Sequence, residues 1–390
     1  MFLEKDFPPD PRVENEAMSL IEEGYEVHLF SLNYKKGLPK KETINGIHLH
    51  RYQVGRITYK LSALAYTLPF FRWIISPLIK GFINQVKPDI LHVHDMVIAE
   101  AVMKVNNKNK PVILDLHENR PAIMEQYKHT NVFPGKYLID LKRWHQKQDE
   151  LIRKADNIIV VTEEAAEYYT NRTDELREKF IAVPNTIKLE VFENYPIDYE
   201  LIKRFDDNFC ILYLGDTGLR RGTMTAIEAL VHLKEKISNI KLILVGESSA
   251  DPQLRSRAGE LGVTDYVAFE GWQDLSLFPS YIKGADICIS PILRNLHHDT
   301  TYANKIFQYM ALGKPIVVSE CPPQAKVVEE NDCGLIHTAG DAIDLTKKII
   351  DLAENEKERV RMGQNASLAI VKNWHWNLKS RDLIELYGTM

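Results

Sequence analysis

The chain is poor in cysteine, with four in 390 residues. No C-x-x-C pair and no tight Cys/His cluster occurs. Cys210 and Cys288 lie in apolar runs, and Cys321 and Cys333 lie near loops. A disulfide scaffold and a zinc-ribbon type of site are excluded, and four reduced thiols in a cytoplasmic protein are expected. An excess of positive charge is also missing. Lys and Arg number 49 against 54 Asp and Glu, a net charge of −5. That argues against a nucleic-acid partner. No apolar run is long and uninterrupted. The longest, 61–79, contains Pro69, Arg72 and Pro77. A spanning helix needs about 20 mostly apolar residues, so no transmembrane segment is expected. The start carries Glu4, Lys5 and Asp6 where a secretory signal would be apolar. The dinucleotide fingerprint G-x-G-x-x-G is absent, which counts against a nicotinamide dehydrogenase.

What is present is alternation. Short apolar runs at 26–31, 47–52, 90–94, 112–117, 158–161 and 180–183 recur in the first half. Others follow at 210–214, 241–245, 267–269, 287–290, 315–319 and 334–337. Most are apolar throughout, as suits strands buried on both faces of a parallel sheet. Helical patterns such as 13–23 and 223–236 separate them. Strand–helix–strand repetition predicts a doubly wound α/β architecture. A polar stretch reads as a linker over 186–207, giving two Rossmann-like domains, 1–190 and 208–372, with a C-terminal helix over 373–390. Ligands in such sheets bind beyond the carboxyl ends of the strands, so a cleft with one substrate on each side is expected. Only 1–3 remain for the strand that should open the first half, which predicts a very short or partly missing strand.

Two segments suit phosphate and nucleotide. Leu214-Gly-Asp-Thr-Gly-Leu-Arg-Arg-Gly-Thr223 follows a strand and opens a helix. Gly215 and Gly222 permit close approach, the helix start offers free N–H groups, and Arg220 and Arg221 add donors suited to phosphate. The same pattern also fits an ordinary strand-to-helix turn. The polar loop 291–301 and the short helix expected over 305–312 sit at a sheet edge, where they either hold a nucleotide and its sugar or serve as core.

Taken together, several segments resemble the retaining GT-B glycosyltransferases of family 4. They are Asp10-Pro-Arg-Val-Glu-Asn-Glu-Ala, Lys87-Pro-Asp-Ile-Leu-His-Val-His-Asp95, Asp115-Leu-His-Glu118, Val183-Pro-Asn185, Gly215…Arg221-Gly222, Leu244-Val-Gly246 and Asn304–Ser319. They span essentially the whole chain in the family's order. The resemblance implies two facing Rossmann-like domains, with the last helix crossing back to the first. It implies sugar transfer, with retention, from a nucleoside diphosphate sugar to an acceptor hydroxyl. The donor would bind the C-terminal domain and a sugar or lipid-linked acceptor the N-terminal one. His117 matches the histidine that approaches the donor sugar, Arg221 the cation that clamps the diphosphate, and Gly215 the glycine beside it. Gly246, Thr300, Thr301, Asn304, Lys305 and Gln308 fall on the donor side, and Arg12, His94, Asp95 and Glu118 on the acceptor side. Cations and helix-end N–H groups can stabilise a departing diphosphate. No metal cofactor is therefore required, and no D-x-D triplet is present.

There are departures from the family. Thr300 and Gln308 stand where it often carries two glutamates, and Asp216 where it usually has an arginine. Phe7–Arg12 replaces its glycine-rich loop. A nucleotide-sugar epimerase or hydrolase, and a binding subunit without turnover, are the alternatives. His92 and His94 alternate on one strand, so one of them is expected to face the cleft. His297 and His298 suggest no metal, because no third ligand stands at a telling spacing. Trp374 and Trp376 read as packing anchors. Finally, 43–88 holds Arg51, Arg56, Lys60, Arg72, Lys80 and Lys87, no acidic residue and many aromatics. That fits core helices with exposed basic residues. It fits equally a peripheral contact with an anionic membrane at its inner face.

Overall fold

The computed structural model describes residues 1–127, 130 and 132–390. It divides into two compact units, 1–184 with 380–390, and 185–379.

The first unit is an eight-stranded sheet in the order β3-β4-β2-β1-β5-β6-β7-β8. These strands are β1 (Phe2–Leu3), β2 (His28–Asn33), β3 (Lys41–Ile44), β4 (Ile47–Gln53), β5 (Leu91–His94), β6 (Val112–Leu116), β7 (Asn157–Val160) and β8 (Phe180–Ala182). All pair in parallel except β3 with β4. The opening strand is only two residues long, yet it is central, because Phe2 registers with Phe30 on one side and Val93 on the other. Helix Pro11–Glu22 follows it. Asp10 caps that helix by accepting from Val13 N–H, and Pro11 supplies the preset φ of a first helical residue. Beneath the sheet, Phe2, Phe30 and Phe82 pack ring on ring, and Trp144 meets Tyr66 edge to face at 4.7 Å. Helix Arg381–Gly388 belongs to this unit. Its Tyr387 packs on Tyr25 and shares a 2.8 Å hydrogen bond with His92 Nδ1.

The second unit is a six-stranded parallel sheet, β11-β10-β9-β12-β13-β14. Its strands are β9 (Phe209–Leu214), β10 (Ile240–Val245), β11 (Val267–Gly271), β12 (Ile287–Ser290), β13 (Ile316–Ser319) and β14 (Gly334–His337). Its two faces bury separate cores. One includes Ile227, Leu230, Leu244 and Ile349, and the other Leu212, Ile306, Phe307 and Ile370. That explains strands apolar on both sides. The stretch read as a linker is instead structured. Helices Leu189–Glu193 and Tyr199–Lys203 lie within it, the second capped by Asp198, and both belong to the second unit. Trp376 is buried and Trp374 stacks on Phe307 at 5.3 Å, both inside this unit.

Candidate functional site

Each sheet reverses its strand order once, between β1 and β5 in the first unit and between β9 and β12 in the second. Doubly wound sheets bind ligands at the carboxyl ends of strands flanking such points.

In the first unit that edge carries a pocket of about 260 Å³. Glu4 and Lys5 beyond β1, Asp95 beyond β5, and His117, Glu118 and Arg120 beyond β6 line it, with Tyr34, Tyr59 and Ser62 opposite. Asp95 is held at φ 61°, ψ 162°, a region that glycine alone adopts without strain. The strained turn brings its carboxylate onto His117, with Oδ1 accepting from the His117 backbone N–H at 3.3 Å and Oδ2 lying 3.7 Å from Nδ1. On the other side His117 Nε2 is 3.0 Å from Asp115 Oδ2. Burial pulls the imidazole pKa down, but the two carboxylates, Asp95 foremost, outweigh it and raise it to about 10. His117 is therefore a cation at neutral pH. Glu4 behaves oppositely. Burial and then the Asp95 charge push its carboxyl up to about 7.

Behind the pocket lies a closed network. Arg12 is buried, with Nε and one terminal nitrogen on Asp115 at 3.0 and 2.8 Å and the other on the Val183 carbonyl at 2.8 Å. Its Nε is also 3.0 Å from Glu16 Oε1. Arg12 thus ties helix Pro11–Glu22 to β6 and to the 183–185 turn, rather than presenting a free guanidinium. His92 and His94 lie on the same face of β5, with rings 4.5 Å apart, both directed at Asp115 and Glu16. The expectation that one of the pair turns away is corrected, because side chains two apart on a strand share a face. Burial, and for His94 the neighbouring His92, lowers both imidazoles, His94 to about 3. Burial also raises Glu16 to about 8 against the pull of Arg12, while Arg12 and His117 hold Asp115 well below the carboxylate range. Glu16, His92, His94 and Asp115 have ligand atoms within 4.8 Å of one another, a spacing that could suit a metal. Arg12 already sits against both carboxylates, so the cation of this cluster is a guanidinium, and a dication beside it would be repelled.

In the second unit the edge is a glycine cradle. A Cβ on Gly222 (φ 73°) would lie 1.7 Å from the Pro291 carbonyl oxygen, and one on Gly246 (φ 130°) 2.0 Å from the Gly215 oxygen. Only glycine permits these approaches. Gly215 (φ 106°) faces Lys305, whose Nζ lies 3.6 Å from where its Cβ would be. That Nζ rests on the Tyr213 ring and has no carboxylate within 4 Å among the described residues. Burial and then Arg221 drive the lysine pKa well down. Arg220 and Arg221 reach Asp216 only at 3.7 and 3.8 Å. His297 and His298, buried near these arginines, are lowered to about 3 and 4. Arg220 and Arg221 are the fixed positive charges of the cradle, and arginine charge adds to burial in lowering Lys305 and both histidines. Helix Thr223–Lys236 starts at it with no side-chain cap. The Thr300 and Thr301 hydroxyls are turned inward, donating to the Leu296 and His297 carbonyls. Asn304 is exposed, and Gln308 is half-buried on helix Lys305–Ala311. Sequence reasoning missed Glu4, Glu16, Arg120 and Tyr387. The four-residue spacing of Arg12 and Glu16 on one helix was the available signal.

Residues 200–368 match the family described as glycosyl transferases group 1, and residues 12–191 match Glycosyltransferase Family 4. A phosphatidyl-myo-inositol mannosyltransferase of Mycobacterium leprae is 22% identical over 306 residues, 77% of this chain and 74% of that protein. Among solved structures, sucrose-phosphate synthase from Thermosynechococcus elongatus is similar with a TM-score of 0.77 at 18% identity, covering 100% of this chain and 98% of that one. The Anabaena HepE protein, solved in complex with UDP, reaches 0.70 at 14% identity, covering 100% and 99%. Among the described residues no helix is long and apolar enough to cross a membrane. With both sheets doubly wound and each unit matched by its own half of the family, the chain belongs to the group 1, family 4 glycosyltransferases and has their GT-B fold.

Proposed function

We propose that the chain moves a hexosyl group, with retention, from a nucleoside diphosphate sugar to an acceptor hydroxyl in surface polysaccharide or glycolipid synthesis. The observation that carries this is the second unit's cradle, where two cations, Arg220 and Arg221, and the buried amine of Lys305 meet a backbone stripped of side chains at Gly215, Gly222 and Gly246. No carboxylate lies within 4 Å of Lys305 Nζ among the described residues, and a diphosphate beside that amine favours its protonated form. As the glycosidic bond breaks, charge grows on the phosphate oxygens. Fixed cations and the N–H groups opening helix Thr223–Lys236 stabilise it without a metal. That HepE was solved with UDP supports a nucleotide ligand. That the mycobacterial relative is named for phosphatidyl-myo-inositol supports a lipid-linked acceptor. The acceptor is assigned to the first unit's pocket, lined by Asp95, His117 and Glu118, with His94 and Arg12 bracing it from behind. His117, a cation there, is read as the residue that meets the donor sugar. The protein then works in the cytoplasm at the inner membrane face.

The test is release of nucleoside diphosphate from UDP- and GDP-sugars with EDTA present. Arg221→Ala is expected to raise the barrier by roughly 2–4 kcal/mol, as loss of one charge-stabilising donor does. Unchanged turnover in that variant, or activity abolished by EDTA, contradicts the reading. A second reading rests on Thr300, whose hydroxyl is directed at helix carbonyls where the family often has a glutamate. Donor binding with no transfer to any acceptor would favour a binding subunit. Free sugar or its epimer as product would favour a hydrolase or epimerase.

A further inference from the structure

We propose that the first unit's pocket takes one uncharged polyhydroxylated ring of the acceptor, and that Glu4 is the residue that selects and positions it. The inference deepens the reading above and rests on it in taking this pocket as the acceptor site. The charges of the pocket argue for an uncharged ligand. Lys5 pairs with Asp10 at 2.8 Å, Arg120 with Glu118 at 3.1 Å, and His117 with Asp95 and Asp115. None of the three lining cations is left over for a carboxylate or a phosphate, and Asp95 and Glu118 would repel either. The volume of about 260 Å³ lies below the roughly 300–1,000 Å³ of sites for drug-sized ligands, so one ring fits and a chain of sugars does not. Tyr34 and Tyr59, with rings 5.4 Å apart at 77°, give an apolar wall for the C–H face of such a ring, opposite the polar groups that its hydroxyls need.

Glu4 differs from the other lining carboxylates. It has no cation within 4 Å among the described residues, whereas Asp95 and Glu118 each have one. It follows β1, where the strand order reverses, and its backbone carbonyl accepts from Tyr34 Oη at 3.1 Å, which fixes the turn. Its Oε2 is buried with no hydrogen-bond partner. An ionised carboxylate needs donors at both oxygens, so this setting favours the acid. The charged groups facing it are Lys5 on its own strand end, Asp95 after β5, and His117, Glu118 and Arg120 after β6. Tyr34, Tyr59 and Tyr66 are its other titratable neighbours, and Asp6 is turned onto the Tyr34 backbone N–H. Arg120 and Lys5 pull the carboxyl down, but burial and Asp95 prevail, at about 7. A protonated carboxyl donates and accepts at once, as a sugar hydroxyl does, whereas a carboxylate only accepts.

The experiment is saturation-transfer NMR of the full chain at about pH 6 and about pH 8.5, on either side of the Glu4 titration. The uncharged probes are the methyl glycosides of glucose, galactose, mannose and N-acetylglucosamine, with myo-inositol. The acidic probes are methyl glucuronide and glucose 6-phosphate. Expected is binding of at least one uncharged probe at the lower pH, weaker by at least about tenfold at the higher, and no binding of the acidic ones. Glu4→Gln keeps a donor and an acceptor and cannot ionise, so it should bind alike at both pH values. Glu4→Ala should lose at least about tenfold at the lower pH. Glu16 titrates near 8 behind the pocket, so the comparison with Glu4→Gln decides rather than pH alone. Unchanged melting curves check that both variants fold. No uncharged probe bound at either pH, an acidic probe bound as tightly, or a wild-type pH dependence in Glu4→Gln would overturn the proposal. Probe binding that Glu4→Ala removes, with no sugar transferred to the bound probe from UDP- or GDP-sugars, would leave the ring site standing and overturn the acceptor reading instead.

Discussion

At His117 two carboxylates compete with burial and win, and the consequence reaches beyond the ring. Its folded pKa of about 10 exceeds the unfolded value of 6.5. The stabilisation it gives is fully present below pH 6.5 and is lost as pH rises toward 10. Glu16 acts with the same sign, since its carboxyl is raised from 4.5 to about 8 and its proton is held by the folded state. His94 acts with the opposite sign. Lowered to about 3, it destabilises the fold as pH falls from 6.5. Thermal stability of the first unit should therefore peak near neutrality and decline from pH 6.5 to 10. In His117→Gln that alkaline decline should shrink, read as melting temperature against pH. A slope equal to wild type would remove His117 from the account. Little of this was legible beforehand. Asp115, His117 and Arg12 stood out in their motifs, but Glu16 and Tyr387 reach the cluster through packing, which spacing does not report. Placing His92 and His94 on opposite sides neglected the two-residue period of a strand, a rule the sequence alone could have supplied.

At the scale of the element, the strand-to-helix turns of the second unit carry the chemistry. Gly222 closes the turn before helix Thr223–Lys236 and is pressed onto Pro291. Gly222→Ala should cost at least about 2 kcal/mol through its left-handed φ and the overlap with that carbonyl, and should remove the nucleotide-induced thermal shift. Gly259, inside helix Asp251–Glu260 with open space around it, is the control. Gly259→Ala should be neutral or stabilise by up to about 1 kcal/mol. Equal effects of the two on urea unfolding would contradict the close-approach argument. Elements were the most legible level. The buried parallel strands showed as apolar runs and fell within two residues of their observed ends. β3 was missed because Lys41, Glu42 and Thr43 are exposed and carry no apolar alternation. Residues 186–207 looked like a linker because helices of five residues hold too few turns to show a period. The basic residues of 43–88 read as exposed, yet Arg51 lies inside, donating to Phe7, Pro39 and Glu42.

At the scale of the molecule, two doubly wound sheets each reverse once, and each reversal collects a site whose residues come from distant parts of the chain. The first unit draws Glu4, Asp95 and His117 from three strand ends and Tyr387 from the last helix. The second gathers Arg221, Gly246 and Lys305 around one turn. The central claim is that this second site takes a nucleoside diphosphate. The most direct measurement is thermal unfolding of the whole chain with UDP, GDP, ADP or CMP and their sugar conjugates. A ligand at about 100 times its Kd adds about 2.7 kcal/mol to the stability of the state that binds it. One diphosphate nucleoside is predicted to raise the melting temperature, with EDTA present, and Arg221→Ala to abolish most of that rise. No shift with any nucleotide, or the same shift in Arg221→Ala, would contradict the account.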